Sequence, residues 1–214
     1  MKGLSKELVL ELSKRKKEPK WVLEKRLLGL KYWDELKMPV WSPDLTGLML
    51  SEIETYVRPA REMVSSWDEV PKEIRETFEK LGIPEAEKEG LAGVGAQYDS
   101  EVIYHNLKKQ VEKQRVIYLP IEEAFIAQTE IEFLGEKMKV AELVKKHFMK
   151  AIPENDHKFA ALHAAVFSGG SFIFVPKGVE VEIPLQSYYR LNAPHAGQFE
   201  HTLIVVDKEA SLHF

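Results

Sequence analysis

The stretch that decides the fold is SFIFVPKGVEVEIPLQSYYRLNAPHAGQFEHTLIVVDKEASLHF, residues 171–214. Short apolar runs follow one another here, and PKG, a lone proline, NAPHAG and DKEA interrupt them at close intervals. Apolar and charged residues alternate around Val181, which is the period of a strand with one buried and one solvated face. The pattern predicts four short strands, at residues 179–183, 185–191, 199–206 and 210–214.

The last predicted strand reaches Phe214, and no closing helix or polar cap follows it. A terminal strand of this kind keeps unpaired N–H and C=O groups along its outer edge. The pattern therefore predicts the front part of a larger protein, with self-association through the open edge as one consequence.

Composition narrows the function classes. The chain has 214 residues, a formal net charge of −4 and 44% hydrophobic residues, which indicates a globular core and gives no sign of nucleic-acid or membrane binding. The N-terminus is too charged for a signal peptide. With no cysteine, the chain cannot form disulfides or supply thiolate ligands to zinc or an iron–sulfur cluster.

The first two thirds of the chain are predicted to be mainly helical. Leu4, Leu8 and Leu12 recur on one helical face, and a wide apolar stripe predicts a second helix from Pro19 to about Leu36. Further helices are predicted from Pro71 to Gly82 and at residues 84–90, 106–114, 121–128, 137–150 and 157–166, the last capped by Asn155 or Asp156. Short strands are predicted at 97–104 and 116–119.

Gly169 and Gly170 mark the change from helical to strand periodicity. The sequence therefore predicts an α+β protein in two parts: residues 1–166, mainly helical with short strands, and residues 167–214, the β part.

Histidines are the first candidates for chemistry. His195, His201 and His213 lie in the β part, where a cupin-like barrel would use His and Glu to hold a metal. That pattern needs two histidines one residue apart and a glutamate shortly after, which this chain lacks. His157 and His163 are six apart, so one helical face does not hold both. The spacing favours surface or packing histidines.

Two other patterns have a structural explanation as well as a functional one. The SGGS turn at residues 168–171 could cradle a phosphate, but it lacks the lysine and helix that should follow, so a tight turn is favoured. Glu180 and Glu182 share one face of a strand, at the spacing of a hydrolytic carboxylate pair, although alternating glutamates are typical of a solvated strand face. We assign no catalytic, cofactor-binding or metal-ligating residue from these patterns.

Three longer segments carry a family resemblance: EPKWVLEKRLLGLKYW, ETFEKLGIPEAEKEGLAGVGAQYDSEVIYHNLKKQ, and FAALHAAVFSGGSFIFVPKGVEVEIPLQSYYRLNAPHAGQFEHTLIVVDKEAS. In this order they closely resemble the SufB branch of the SufB/SufD family of iron–sulfur cluster assembly scaffolds. Two positions depart from the family: His201, where arginine is usual, and His163, where asparagine is usual.

The resemblance implies a helical region followed by the first rungs of a right-handed parallel β-helix. It implies a non-enzymatic scaffold subunit that works in a cytoplasmic complex with SufD and the ATPase SufC, and whose full-length form is associated with an iron–sulfur cluster. The family's cluster-associated cysteine and its SufC-binding helices lie beyond the segment matching Phe214. We therefore expect this chain to carry no cofactor and to lack the SufC contact.

The alternative function is a small metal-dependent, cupin-like β-barrel enzyme that uses His195, His201 and His213. A β-helix enzyme acting on carbohydrate through Glu180 and Glu182 is a weaker alternative.

Overall fold

A computed structural model describes residues 2–45, 47–57, 69–80, 93–107, 109–191 and 193–214. Within these ranges the chain is a mixed α+β structure with small, open sheets of two or three strands. The predicted helix 84–90 lies outside the described residues, as does the predicted end of the preceding helix at Gly82. None of the helices in these ranges has both the length and the apolar character needed to cross a membrane.

The helices concentrate in the first part of the chain. In chain order they are α1 (Lys6–Arg15), α2 (Lys20–Glu35), α3 (Lys72–Lys80), α4 (Lys109–Lys113), α5 (Ile121–Ala124), α6 (Val140–His147) and α7 (Lys158–Val166). A short 3-10 helix spans Leu50–Glu52, and the segment around it has little other regular structure, as its prolines predict.

The strands are short and begin before residue 100. They are β1 (Gly93–Tyr98), β2 (Glu101–Leu107), β3 (Ile117–Pro120), β4 (Glu130–Phe133), β5 (Glu136–Lys139), β6 (Ser171–Val175), β7 (Glu180–Val181), β8 (Leu185–Arg190), β9 (Leu203–Val206) and β10 (Ser211–Leu212).

Parallel pairing joins the strands of the last quarter. In one sheet β6 lies between β3, which is antiparallel to it, and β9, which is parallel. In a second sheet β10 runs parallel to β7. Phe172 pairs with Leu203 and Glu180 pairs with Ser211, so the partner lies 31 residues further along the chain in both sheets. Residues 171–181 are therefore overlaid, in register, by residues 202–212.

Strands from the helical part also enter these sheets. β1 pairs antiparallel with β2 and parallel with β8, and β3 pairs with β6. Each of these two sheets thus contains strands from both sides of residue 167. The division of the chain at that residue stays a prediction.

The main core lies between the central helices and the β3–β6–β9 sheet. Phe125, Phe148, Phe167 and Phe172 are all buried there. A second cluster lies under β6, β7 and β8, and a third packs α1 against α7. Helices α2 and α7 approach closely at Gly29, where an added Cβ would lie 2.7 Å from the Ala164 Cβ.

Several predicted elements differ from the structure. The helix predicted at 137–150 begins only at Val140, because residues 136–139 form a hairpin with β4, turning at Leu134 and Gly135 with positive φ angles. Its predicted end also moves, since α6 stops at His147. The third predicted strand is shorter than expected and starts at Leu203.

The cap of α7 is also different. His157, rather than Asn155 or Asp156, is the N-cap residue, and its Nδ1 accepts a hydrogen bond from the Ala160 N–H at 3.1 Å.

Candidate functional site

Several charged and titratable side chains with little solvent contact gather where α1, α2 and α7 meet the segments leading into β6 and β9. We call this region the junction; it comprises Lys16, Glu18, Arg26, Glu122, His163 and His201. It contains two ion-pair groups and one histidine pair.

Arg26 and Glu18 form a buried ion pair. The two side chains are 0% and 1% exposed. Arg26 donates to both Glu18 carboxylate oxygens and to the backbone carbonyls of Ala165 and Phe167, at 3.2 and 2.8 Å. Its guanidinium also lies 3.8 Å from the centroid of the Phe167 ring. One cation therefore ties α2 to the end of α7.

Lys16 forms the second ion-pair group. Its Nζ lies 2.7 Å from Glu122 and 3.2 Å from Glu101, which places the end of α1 against α5 and β2. Glu122 also accepts the Gly169 N–H at 2.7 Å. The Gly169 amide of the SGGS segment, a candidate for binding phosphate, thus donates to a carboxylate of the chain itself.

The pKa values of this group reflect mutual stabilisation of the charges. Burial alone would lower the pKa of Lys16, but the Glu122 and Glu101 carboxylates outweigh burial and raise it above its usual value. Burial would raise the pKa of Glu122, but Lys16 and the Gly169 N–H lower it below the usual value. Both side chains are therefore charged at neutral pH.

His163 and His201 are in direct contact although 38 residues separate them. The His163 Nε2 and the His201 Nδ1 lie 2.9 Å apart. The His201 ring lies against Phe148, with centroids 4.3 Å apart, and the His163 ring is stacked on Phe167 at 6.1 Å. The pair joins α7 to the segment that precedes β9.

Both imidazoles are neutral at physiological pH. Burial lowers the pKa of His163 to about 4, and the nearby Arg26 charge contributes. Burial lowers the pKa of His201 to about 3, with His163 and Arg26 acting in the same direction and Glu122 opposing them. One of the two facing nitrogens is therefore protonated and donates a hydrogen bond to the other, which accepts it through its lone pair.

A cavity of about 330 Å³ opens beside the histidine pair. Met149, Ile152 and Phe159 give it an apolar part, while His157 and Glu200 add polar groups next to His163 and His201. A larger groove of about 540 Å³ lies between β3 and β4, with charges of both signs around Ile117 and Phe174. None of the residues singled out from the sequence lies in that groove, so the smaller cavity is the candidate site.

The three histidines of the alternative, cupin-like metal site occupy different surroundings. His195 is exposed at a turn, and its carbonyl accepts the Glu54 N–H at 2.8 Å. His213 is exposed near β10, whereas His201 contacts His163. Within the ranges that the structure describes, no group of three or more His, Cys, Asp or Glu side chains is arranged to hold a metal ion.

The remaining sequence candidates are surface or linking residues. Glu180 and Glu182 are both exposed, and β7 is only two residues long. Gly169 and Gly170 have φ angles of 73° and 107°, which favour glycine. The SGGS segment is an irregular link between α7 and β6 rather than the predicted tight turn, because its backbone groups bond to Phe199, His201 and Ile121.

Sequence patterns did not predict the junction. Arg26 looks like an ordinary solvated residue of a charged helix with no acidic residue three or four positions away, and Glu18 lies eight residues before it, outside the helix. The contact between His163 and His201 depends on how α7 packs on the sheet. The only local signal was that both positions depart from the family pattern.

The chain is similar over its whole length to iron–sulfur cluster assembly proteins. It is 50% identical over 213 residues to the iron–sulfur cluster assembly protein SufB of Bacillus subtilis (strain 168), a match that covers 100% of this chain and 43% of that protein. It is 47% identical over 213 residues, with the same coverage, to iron–sulfur cluster assembly SufBD family proteins of Staphylococcus aureus strains USA300 and N315. The chain thus spans less than half the length of these relatives. No protein-family model matches the chain.

Proposed function

Because the chain belongs to the SufB/SufD family of iron–sulfur cluster assembly proteins over the part that it spans, we propose that it acts as part of a SufB-type scaffold subunit. The observation that carries this proposal is the 50% identity to a SufB protein across 213 residues. A scaffold subunit needs a rigid frame more than a catalytic group, and the junction provides one.

We further propose that the strands of the last quarter are successive coils of a right-handed parallel β-helix. Two features support this: the parallel pairs β6–β9 and β7–β10, and their common offset of 31 residues. In a solenoid each coil lies on the one before it, so equal offsets are expected in neighbouring sheets.

The helices would then anchor the start of that β-helix. Arg26 fixes α2 to the end of α7, and Glu122 links Lys16 to the Gly169 segment that leads into β6. Since these contacts are largely buried and paired, they would hold the helical region against the first coil.

The partners follow from the Suf assignment. We propose that the whole protein acts in the cytoplasm with SufD and the ATPase SufC, and that this chain contributes no catalytic residue. A chain without cysteine supplies no thiolate, so in the whole protein the cluster would be held by residues other than these 214.

A chimera tests the proposal directly. The matching part of Bacillus subtilis SufB is replaced by this chain, and the chimera is produced in cells depleted of their own SufB. We expect growth and aconitase activity to recover, because the chain supplies an equivalent frame for the rest of the subunit. A second copy of the chimera carrying Arg26→Met should recover less, because the junction is weakened.

The proposal is wrong if the chimera accumulates as a stable protein and co-purifies with neither SufC nor SufD while aconitase stays inactive. A chimera that fails to accumulate is compared with one that exchanges only the residues matching 167–214. Failure of both to support cluster assembly also contradicts the proposal.

A further inference from the structure

We propose that His163 and His201 form a binding site for one first-row divalent cation, of the Zn²⁺, Co²⁺, Ni²⁺ and Fe²⁺ class, in the wall of the cavity beside α7. The inference does not depend on the scaffold function. It rests on the short separation of the two imidazoles, on the aromatic packing that keeps them side by side and on the cavity that reaches them.

The separation of the two nitrogens is close to that of a ligand pair. Two imidazole nitrogens about 2.0–2.1 Å from a tetrahedral ion lie about 3.3 Å from each other. The His163 Nε2 and the His201 Nδ1 lie 2.9 Å apart. An ion can therefore replace the shared proton if the nitrogens separate by about 0.4 Å and both rings turn so that their lone pairs point at the ion.

The rings are held in place by aromatic neighbours. Phe148 and Phe167 both contact the His201 ring, and Phe167 also stacks on His163. Ligands that are already held side by side lose little conformational freedom when they come together on one ion, which favours binding. Imidazole nitrogen suits zinc, copper, iron and nickel, and it does not suit calcium or magnesium.

The surrounding charges do not exclude a cation. Arg26, whose charge acts on both imidazoles, is paired with Glu18, and Lys16 is paired with Glu101 and Glu122. Glu200 lines the same cavity and adds a carboxylate. The junction and cavity wall thus carry more carboxylates than cationic groups.

The protein supplies two ligands, and the cavity supplies room for the others. A volume of about 330 Å³ accommodates several water molecules or a small exchangeable ligand. A metal site with open positions exchanges its ion more readily than a closed structural site does. The arrangement therefore suits a labile ion rather than a permanent structural metal.

The test uses the 214-residue chain after treatment with a chelator, and Co²⁺ as the probe because it absorbs visible light when bound. We expect one Co²⁺ per chain. His163→Gln and His201→Gln should each weaken binding by more than about tenfold, since even residues beyond the first ligands alter metal affinity to that extent. The matched control is the double variant His195→Gln/His213→Gln, which removes two exposed histidines and should keep the site.

A second readout needs no variant. In the wild-type chain labelled with ¹⁵N at histidine, Zn²⁺ should shift the His163 Nε2 and His201 Nδ1 resonances and move the shared proton to a far ring nitrogen. The exposed His195 and His213 should keep their free shifts at one equivalent.

Three results would each overturn the inference: no stoichiometric Co²⁺ binding by the wild-type chain, binding that both single variants retain, or binding that the control loses. If the single variants do not fold, the ¹⁵N shifts in the wild type decide the question.

Discussion

The junction and the outer edge of the last strands differ in their exposure to solvent. At the junction, Arg26 is fully buried, and its guanidinium donates to a carboxylate and two carbonyls. The outer edge consists of β9 and the residues around β10. Here Ile204 and Val206 of β9 and Phe214, two residues past β10, are 39%, 41% and 50% exposed, so apolar surface faces water. The first region is closed by contacts within the chain, and the second keeps surface available for other contacts.

We therefore expect changes at the junction to affect the stability of the fold, and changes at the outer edge to affect association. The junction contains charges that are costly to bury unless they are paired, so a change there should appear in the free energy of unfolding. The outer edge contains apolar groups that contribute little to the fold of the chain, so a change there should appear in association.

The largest expected effect comes from removing the buried cation. Arg26→Met leaves the Glu18 carboxylate buried without a partner, which should lower the free energy of unfolding by about 3–5 kcal/mol. Urea denaturation followed by circular dichroism measures this.

The matched control is Arg15→Met, which breaks a pair with Glu11 whose side chains are 47% and 44% exposed and should cost less than about 1 kcal/mol. The double variant Arg26→Met/Glu18→Met should recover part of the loss, because it leaves no unpaired charge. Equal losses for Arg26→Met and Arg15→Met would remove the contrast between the two regions.

The close approach of α2 and α7 should be nearly as sensitive. An alanine at Gly29 normally favours a helix by about 1 kcal/mol. Here its Cβ would lie 2.8 Å from the Ala161 carbonyl oxygen as well as 2.7 Å from the Ala164 Cβ. We expect the overpacking to outweigh the helical preference and Gly29→Ala to lose about 1–3 kcal/mol in urea denaturation.

Glu24→Ala is the control on the same helix. Its side chain is 62% exposed, so the change in stability should stay within about 0.5 kcal/mol. A stabilised Gly29→Ala variant would mean that the two helices separate more easily than their packing indicates.

The pH dependence of stability should depend on Lys16 and Glu122. The pKa of Glu122 is lowered in the folded chain, so its contribution is present above the unfolded pKa and is lost as pH falls through the folded value. The pKa of Lys16 is raised, so its contribution is present below the unfolded pKa and is lost as pH rises through the folded value. Lys16→Met should make the free energy of unfolding less dependent on pH at both the acidic and the alkaline end.

Urea midpoints of the wild type and Lys16→Met between pH 3 and pH 11 provide the comparison. Burial raises the pKa of Tyr118 to about 12, so part of the alkaline loss is common to both proteins and cancels in the difference. Parallel profiles would show that the Lys16 ion pairs contribute little to folding.

The smallest effect on stability, and the clearest one on association, is expected at the outer edge. Val206→Lys and Phe214→Lys place charge on exposed apolar positions, which should disfavour edge-to-edge pairing. Sedimentation velocity over a concentration series should show weaker self-association than for the wild type, at an unchanged urea midpoint.

Ile126→Lys is the control, since Ile126 is 60% exposed and belongs to neither β9 nor β10. Leu212 is left unchanged because it packs against the second core cluster. A wild-type chain that stays monomeric at every concentration would contradict the expected association.

The sequence predicted the elements whose apolar pattern matches their final burial. The recurrent leucines of α1 and the stripe of α2 led to the correct helices, and Gly169 and Gly170 directly precede β6. The β4–β5 hairpin was missed because EKMK has no strand alternation. The cap of α7 was assigned to Asn155 or Asp156 because histidine is an unusual capping residue.

The candidate site could not be predicted in the same way. Arg26 and Glu18 become a buried pair only when α2 packs against α7, and His163 meets His201 only when β9 is laid on β6. Such contacts depend on tertiary packing, which local periodicity does not encode. The family resemblance identified the kind of protein, and it marked the two histidine positions without indicating that they touch.

The common 31-residue offset constrains how this chain can change length during evolution. The turns at residues 176–179 and 207–210 follow β6 and β9, and they are bonded to each other: the Gly178 N–H donates to the Lys208 carbonyl and the Ser211 N–H to the Val179 carbonyl, each at 3.0 Å. An insertion in one turn would therefore displace β7 relative to β10 unless the other turn gained the same insertion. Related sequences should tolerate length changes in these two turns only in matched pairs.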